Sequence, residues 1–190
     1  PDHPPYLGQI FASQSGQKAA WRDRGAPRIL AYLRHDTPQF NASVQALAQM
    51  GPNNDIILAS PGIDPKLAKM LEGKSVFVVD GPVQLDPLLA DCDLGISHGT
   101  NGIVAAFLSA GVPQLCIPSH REQMMCAEAL AKAGLGLGIA GKFGREQVVT
   151  AIRKAIQATN LKEVATETQN RIKKSGMNNT AEVAAKMLSE

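Results

Sequence analysis

A doubly wound, mostly parallel α/β sheet is what this sequence predicts, and three observations predict it. From residue 28 onward, short aliphatic runs alternate with longer stretches of helical period. Runs such as Val76-Phe77-Val78-Val79 are apolar at every position, as in strands covered on both faces. Gly, Pro, Asp or Ser bounds each run and marks where the chain turns.

Six strands follow from this pattern, at residues 28–33, 55–59, 75–79, 93–97, 112–117 and 135–139. Helices are expected between and after them, at 38–50, 64–72, 86–91, 101–110, 122–133 and 145–158. Asp64-Pro65 is a helix start with proline at the first helical position. Gly51 and Gly134 stand where helix C-caps belong. Val148, Ile152 and Ile156 recur every four residues and share one helical face. Two more helices are expected at 162–174 and 180–189, parted by Asn178-Asn179. Residues 1–27, rich in Pro, Gly, Gln and Ser without a period, are expected to be a linker or edge segment, and 28–190 the folded domain. The first residue is Pro1, and the chain is expected to be the C-terminal portion of something longer.

Composition narrows the class. A chain of 190 residues with 44% hydrophobic and 19% charged residues has the make-up of one globular domain. A formal net charge of only +2 gives no reason to expect nucleic acid or an anionic membrane as partner. No apolar run approaches the ~18 residues a membrane-spanning helix needs. Cys92, Cys116 and Cys126 lack metal-ligand spacing and are expected to be reduced, buried thiols of a cytoplasmic protein. No His, Cys and carboxylate spacing suggests a metal, and no cofactor is expected. Gly134-Leu135-Gly136-Leu137-Gly138 mimics a dinucleotide fingerprint, but it closes a helix and enters a strand, the reverse of what that fingerprint requires.

Ligands of doubly wound sheets bind at the carboxyl ends of the strands, near the switch in strand order. The loops to search are therefore 34–37, 80–84, 98–102 and 119–123. The strand ending at Ser97 opens through His98-Gly99-Thr100-Asn101-Gly102 into a helix, a turn whose backbone N–H groups favour an anion. The strand at 112–117 leads to Glu122 and Gln123, a carboxylate beside an amide, suited to hydroxyl groups. A phosphate cradle beside a hydroxyl-binding pair suggests a nucleoside diphosphate joined to a sugar. His35-Asp36 lines the cleft rather than forming a dyad, because adjacent loop residues seldom face each other. His120 beside Arg121 is a further cleft contact or simply exposed.

Gly81-Pro82-Val83-Gln84, Asp86-Pro87-Leu88-Leu89, Ala90 to Gly99, Ser109-Ala110-Gly111-Val112-Pro113, Pro118 and Glu122-Gln123 together resemble the donor-binding half of GT-B glycosyltransferases. Among these, the chain is similar to the UDP-glycosyltransferases of lipids, natural products and macrolides. The order and spacing hold over residues 28–140, and Tyr6-Leu7-Gly8 resembles the segment that links the two GT-B domains. The resemblance implies a Rossmann-like fold and transfer of a sugar from a nucleotide-diphospho-sugar, a UDP- or dTDP-sugar. It implies that Val83 receives the base through main-chain groups, with Gln84 near the ribose. His98 would contact the diphosphate and stabilise it as leaving group, the amides of Gly99, Thr100, Asn101 and Gly102 would surround the phosphates, and Glu122 with Gln123 would grip the sugar. The loop Arg34, His35, Asp36 and Thr37 would face the cleft between domains. Acceptor site and general base would lie in an N-terminal domain or partner chain, so the isolated chain is expected to be inactive. The resemblance leaves open an attachment to a membrane surface through the missing half.

The pattern is broken at five places. Thr100 replaces the second glycine and Ile103 a hydroxyl residue; Asp80-Gly81 stands where some relatives carry a base-stacking Trp; Glu122 is one methylene longer than the usual Asp. Ala106 occupies the position of a ribose-binding Glu. These departures leave two alternatives open: a non-catalytic module that binds nucleotide sugar or docks a partner, and one half of a nucleotide-sugar epimerase.

Overall fold

The structure, a computed structural model, describes residues 16–22 and 25–175. Six strands form one sheet: β1 (Arg28–Tyr32), β2 (Asp55–Ala59), β3 (Val76–Val79), β4 (Leu94–Ser97), β5 (Gln114–Cys116) and β6 (Gly136–Gly138). Every pairing is parallel, in the order β3-β2-β1-β4-β5-β6. Ile29 of β1 is flanked by Ile56 of β2 on one side and Leu94 of β4 on the other. The order reverses between β1 and β4, which places the crevice of a doubly wound sheet there. The expected α/β class is the observed one.

Helices cover both faces: α1 (Phe40–Met50), α2 (Pro65–Glu72), α3 (Asp86–Leu89), α4 (Asn101–Ala110), α5 (Arg121–Lys132), α6 (Arg145–Gln157) and α7 (Thr159–Ser175). Successive strand residues point to opposite faces, so two cores form from one sheet. Ile29, Ala31, Ile56, Leu58 and Leu94 meet Val44 and Leu47 of α1 and Val148 and Ile152 of α6. Leu30, Ile57 and Ala59 meet Leu88 and Leu89 of α3 and Ala106 and Phe107 of α4. Gly95 is small for a packing reason: a Cβ there would lie 2.5 Å from the Phe107 ring, so the glycine lets α4 press onto β4.

Helix ends follow local chemistry. The Asp64 carboxylate accepts from the N–H groups of Lys66 and Leu67 at 2.8 and 3.0 Å, capping α2 ahead of Pro65. Gly134 has φ +70, and Leu135 N–H returns to Leu130 O at 2.9 Å, the left-handed ending expected for α5. Gly51 caps α1 for a different reason. Its φ is −50, and the chain continues into a 3-10 turn, Gly51–Asn53. A Cβ on Gly51 would lie 2.0 Å from the Lys74 carbonyl oxygen, so the requirement is close backbone approach, not left-handed conformation. The triple-glycine run closes α5 and enters β6, as expected, and Gly136 packs against Gln114 O. The helix expected at 162–174 begins earlier, at Thr159. The helix expected at 180–189, the Tyr6-Leu7-Gly8 segment and most of the expected linker lie outside the described residues.

Residues 16–22 are not a loose linker but a strap tied to the domain along its length. Gln17 forms a parallel bridge with Val83. The Trp21 indole N–H donates to Leu88 O at 3.1 Å. Arg22 donates its backbone N–H and its Nε to the buried Asp55 carboxylate, and its Nη2 to Ser75 O at 2.7 Å. These anchors run from the loop after β3 to the opposite, N-terminal ends of β2 and β3.

Candidate functional site

The loops that leave the strand ends are joined side by side. Gln17 Nε2 donates to Asp80 O at 2.8 Å in the loop after β3. Asp80 Oδ1 accepts from Gly62 N–H at 2.7 Å in the loop after β2. His35 Nδ1 donates to Pro61 O at 2.8 Å, joining the loop after β1. Arg34 N–H then donates to His98 Nε2 at 2.9 Å, and His98 Nδ1 donates to Ile117 O at 2.8 Å. Hydrogen bonds therefore run along the carboxyl edge in strand order, from the strap through β3, β2, β1 and β4 to β5.

The corner at Gly81 to Gln84 is built on the strap. Gln17 N–H donates to Pro82 O at 2.8 Å, and Gln84 N–H donates to Gln17 O at 2.9 Å. A parallel bridge uses the groups flanking the bridged residue, so Val83's own N–H and C=O face away from Gln17. The Val83 side chain is buried beside Leu88 and Leu89, which fixes the backbone from below. Gly16 (φ +109) and Gly81 (φ +141) permit the approach: a Cβ on Gly16 would lie 2.5 Å from Pro82 O, and one on Gly81 2.9 Å from Gln17 Nε2. The side chain of Gln84 is half-buried. Ala106 is 1% exposed within the same apolar cluster, so α4 turns that position into the core.

The corner at the β1/β4 switch is organised by His98. The imidazole is 5% exposed and is a single neutral tautomer, with Nδ1 donating and Nε2 accepting. Burial holds its pKa below the ordinary value, and the nearby Arg34 charge pushes the same way. The ring expected to present a nitrogen to a diphosphate has both nitrogens engaged by backbone, because the ends of β1 and β5 close around it. His98 is thus a strut joining three strand ends.

Gly99 has φ +86, and its N–H donates to Ser97 Oγ at 3.1 Å. A Cβ on it would lie 3.3 Å from Gln123 O, so the turn seats the first turn of α5. Thr100 is the exposed N-cap of α4 and makes no side-chain cap bond. Asn101 is exposed and Gly102 half-buried in the first turn, where backbone amides point out of the helix.

Glu122 and Gln123 diverge. Glu122 is exposed in the first turn of α5. Gln123 is 4% exposed, and its Oε1 accepts from Ser119 N–H and Ser119 Oγ at 2.8 and 2.9 Å, closing the loop after β5. Only its amide nitrogen remains to meet a ligand. His35 turns to Pro61 and packs over Gly62, while Asp36 pairs with Arg34, so the two form no dyad. Thr37 Oγ1 donates to Arg34 O at 3.1 Å and closes the loop on itself. His120 is the exposed N-cap of α5.

The three cysteines are free; burial pushes the thiols of Cys92 and Cys116 up to about 12, which keeps them inert. Among the described residues, no group of His, Cys, Asp and Glu could hold a metal ion, and no helix is long and apolar enough to cross a membrane.

Sheet order and crevice define a Rossmann-like doubly wound domain, the architecture of one half of a GT-B fold. Residues 45–189 match the family described as erythromycin biosynthesis protein CIII-like, C-terminal domain, and the chain belongs to that family. It is 31% identical over 133 residues to glycosyltransferase GtfC of Amycolatopsis orientalis, covering 70% of this chain and 31% of that protein. Its fold is similar to that of spinosyn rhamnosyltransferase SpnG solved with spinosyn aglycone, at TM-score 0.74 and 20% identity, covering 93% of this chain and 51% of that one. SpnG has also been solved with thymidine diphosphate, at TM-score 0.65 and 20% identity over 87% of this chain and 47% of that one. The calicheamicin glycosyltransferase CalG4 aligns at TM-score 0.68 and 24% identity, covering 84% of this chain and 43% of that one. The chain thus spans 31% of the length of GtfC and about half that of the solved relatives.

Proposed function

We propose that this chain binds the nucleotide-sugar donor of a glycosyltransferase, with the base at Val83 and the diphosphate at the amino end of α4. The observation that carries this reading is the main-chain pair of Val83, turned away from Gln17 in a braced bridge on the same sheet edge as the amino end of α4. A uracil or thymine ring presents an N–H donor beside a carbonyl acceptor. Val83 C=O would accept the first and Val83 N–H donate to the second, so UDP- or dTDP-sugars fit this edge. The thymidine diphosphate bound by SpnG supports the same class.

In transfer, an acceptor oxygen bonds to the anomeric carbon while the bond from that carbon to the diphosphate breaks. The electron pair stays on the diphosphate, and the acceptor proton passes to a base on the acceptor side. Amides at the start of α4 would lie where that negative charge develops, and a well-placed donor in such a position lowers the barrier by about 3 kcal/mol. Glu122 and the amide nitrogen of Gln123 would reach the sugar. His98 would act by holding the loops after β1 and β5 around the phosphates. The acceptor and its base we assign to the remainder of a longer protein or to a partner chain.

Calorimetry of the chain against UDP-glucose, dTDP-glucose and GDP-glucose tests this. Saturable binding of the pyrimidine donors, tighter than that of the GDP-sugar, is expected. No binding of any of the three would end the donor reading. Ala106, buried where relatives carry a ribose-binding Glu, favours a second reading: a module that binds nucleotide sugar without transferring it. Donor binding with no turnover, even when the acceptor-binding half is supplied, would select that second reading.

A further inference from the structure

Arg34 is held in an unusual way for an exposed residue at a ligand edge. Its N–H is taken by the buried His98 at 2.9 Å, and its C=O accepts the Thr37 hydroxyl at 3.1 Å. Both backbone groups are therefore fixed at the switch point, beside the turn that opens α4. The side chain alone can move. That side chain is 68% exposed, and its guanidinium forks onto the Asp36 carboxylate, two residues away. That fork, two parallel N–H donors on a planar anion, is also the geometry that recognises a phosphate.

We propose that Arg34 is a ligand of the donor diphosphate, parked on Asp36 until the donor arrives. This rests on the donor reading above and names the side chain that meets the phosphates in place of His98. Exposed ion pairs are weak, so a multiply charged anion at the same corner displaces Asp36 readily. Asp36 is charged at neutral pH, and the hydrogen bond from Arg34 holds its carboxyl down at about 2. Asp36 thus competes with the diphosphate twice, by occupying the guanidinium and by repelling the incoming anion. The other charged or titratable groups that act on His98 at this corner are Arg34, Asp36 and His120, of which only Asp36 is acidic.

The two partners should therefore have opposite effects. Calorimetry would compare UDP, dTDP, uridine and thymidine on the wild-type chain, Arg34→Gln and Asp36→Asn. Arg34→Gln should weaken both diphosphates about tenfold or more and leave the nucleosides within about a factor of two. Asp36→Asn should tighten the diphosphates about threefold, an effect that shrinks at high salt. Both sites are exposed, so neither change threatens the fold. Unchanged diphosphate binding in Arg34→Gln, or weakening in both variants alike, overturns the proposal while leaving donor binding intact. Absence of diphosphate binding by the wild-type chain removes the donor reading itself, and this proposal with it.

Discussion

The two ends of the candidate site are built on opposite plans. At the end proposed for the base, the strap and the Val83 loop satisfy each other, and the main-chain groups of Val83 face away from Gln17. At the diphosphate end, the polar side chains are occupied with neighbours: His98 with backbone on both sides, Gln123 with Ser119, Arg34 with Asp36. On the proposed reading, the first end is braced before a ligand comes, whereas the second yields its guanidinium only by exchange. Preorganisation belongs where a neutral heterocycle must be read by geometry. Exchange is tolerable where the ligand carries enough charge to displace a weak surface pair.

Breaking the diphosphate end should have the largest effect. His98→Ala removes a buried ring and the partners of Arg34 N–H and Ile117 O, and should lower unfolding free energy by about 2–4 kcal/mol in urea denaturation. The same residue gives the corner a pH dependence. Its folded pKa lies below the ordinary 6.5, so its contribution is complete above that value and is lost as pH falls through the folded pKa. Stability measured from pH 8 to pH 5 should decline in that lower range for the wild type, and less steeply for His98→Ala. An equal slope in both would mean the strut does not titrate.

The base end is tested by Gly16→Ala, which sets a methyl group against Pro82 O at φ +109. Strain of about 1–3 kcal/mol should loosen the strap. UDP should bind more weakly while inorganic pyrophosphate binds as before. Equal losses for both ligands would show that the two ends are not separately built. The smallest effect belongs to Gln123→Ala, at about 1 kcal/mol of stability, since it removes one acceptor that closes the Ser119 loop. If Gln123 also meets the sugar, UDP-glucose affinity should fall further than UDP affinity.

The fold was legible because it rests on local signals. Aliphatic runs placed all six strands, and Asp64-Pro65 and Gly134 placed helix ends, since propensity and capping act over a few residues. Gly51 was located correctly for the wrong reason, because its constraint comes from Lys74, twenty-odd positions along the chain. The site was legible as positions but not as roles. Spacing put His98 at a strand end, yet its partners are backbone groups at Arg34 and Ile117, which no residue pattern reveals. The strap escaped notice for the same reason. Its polar, aperiodic sequence gave no sign that Trp21 and Arg22 would find Leu88 and Asp55 across the domain. One signal was available: a lone Trp in a polar stretch is more often packed than free.

The end of α4 opposite the crevice has a consequence of its own. Gly111, left-handed at φ +68, lets α7 lie so close that a Cβ there would be 3.2 Å from Gln169. Lys162 adds a bond from the start of α7 to Cys92 O, just ahead of β4. The final described helix thus acts as a backstop for the rod whose other tip meets the turn after β4. A chain cut before Thr159 would keep every residue of the crevice and leave that rod held by the sheet alone.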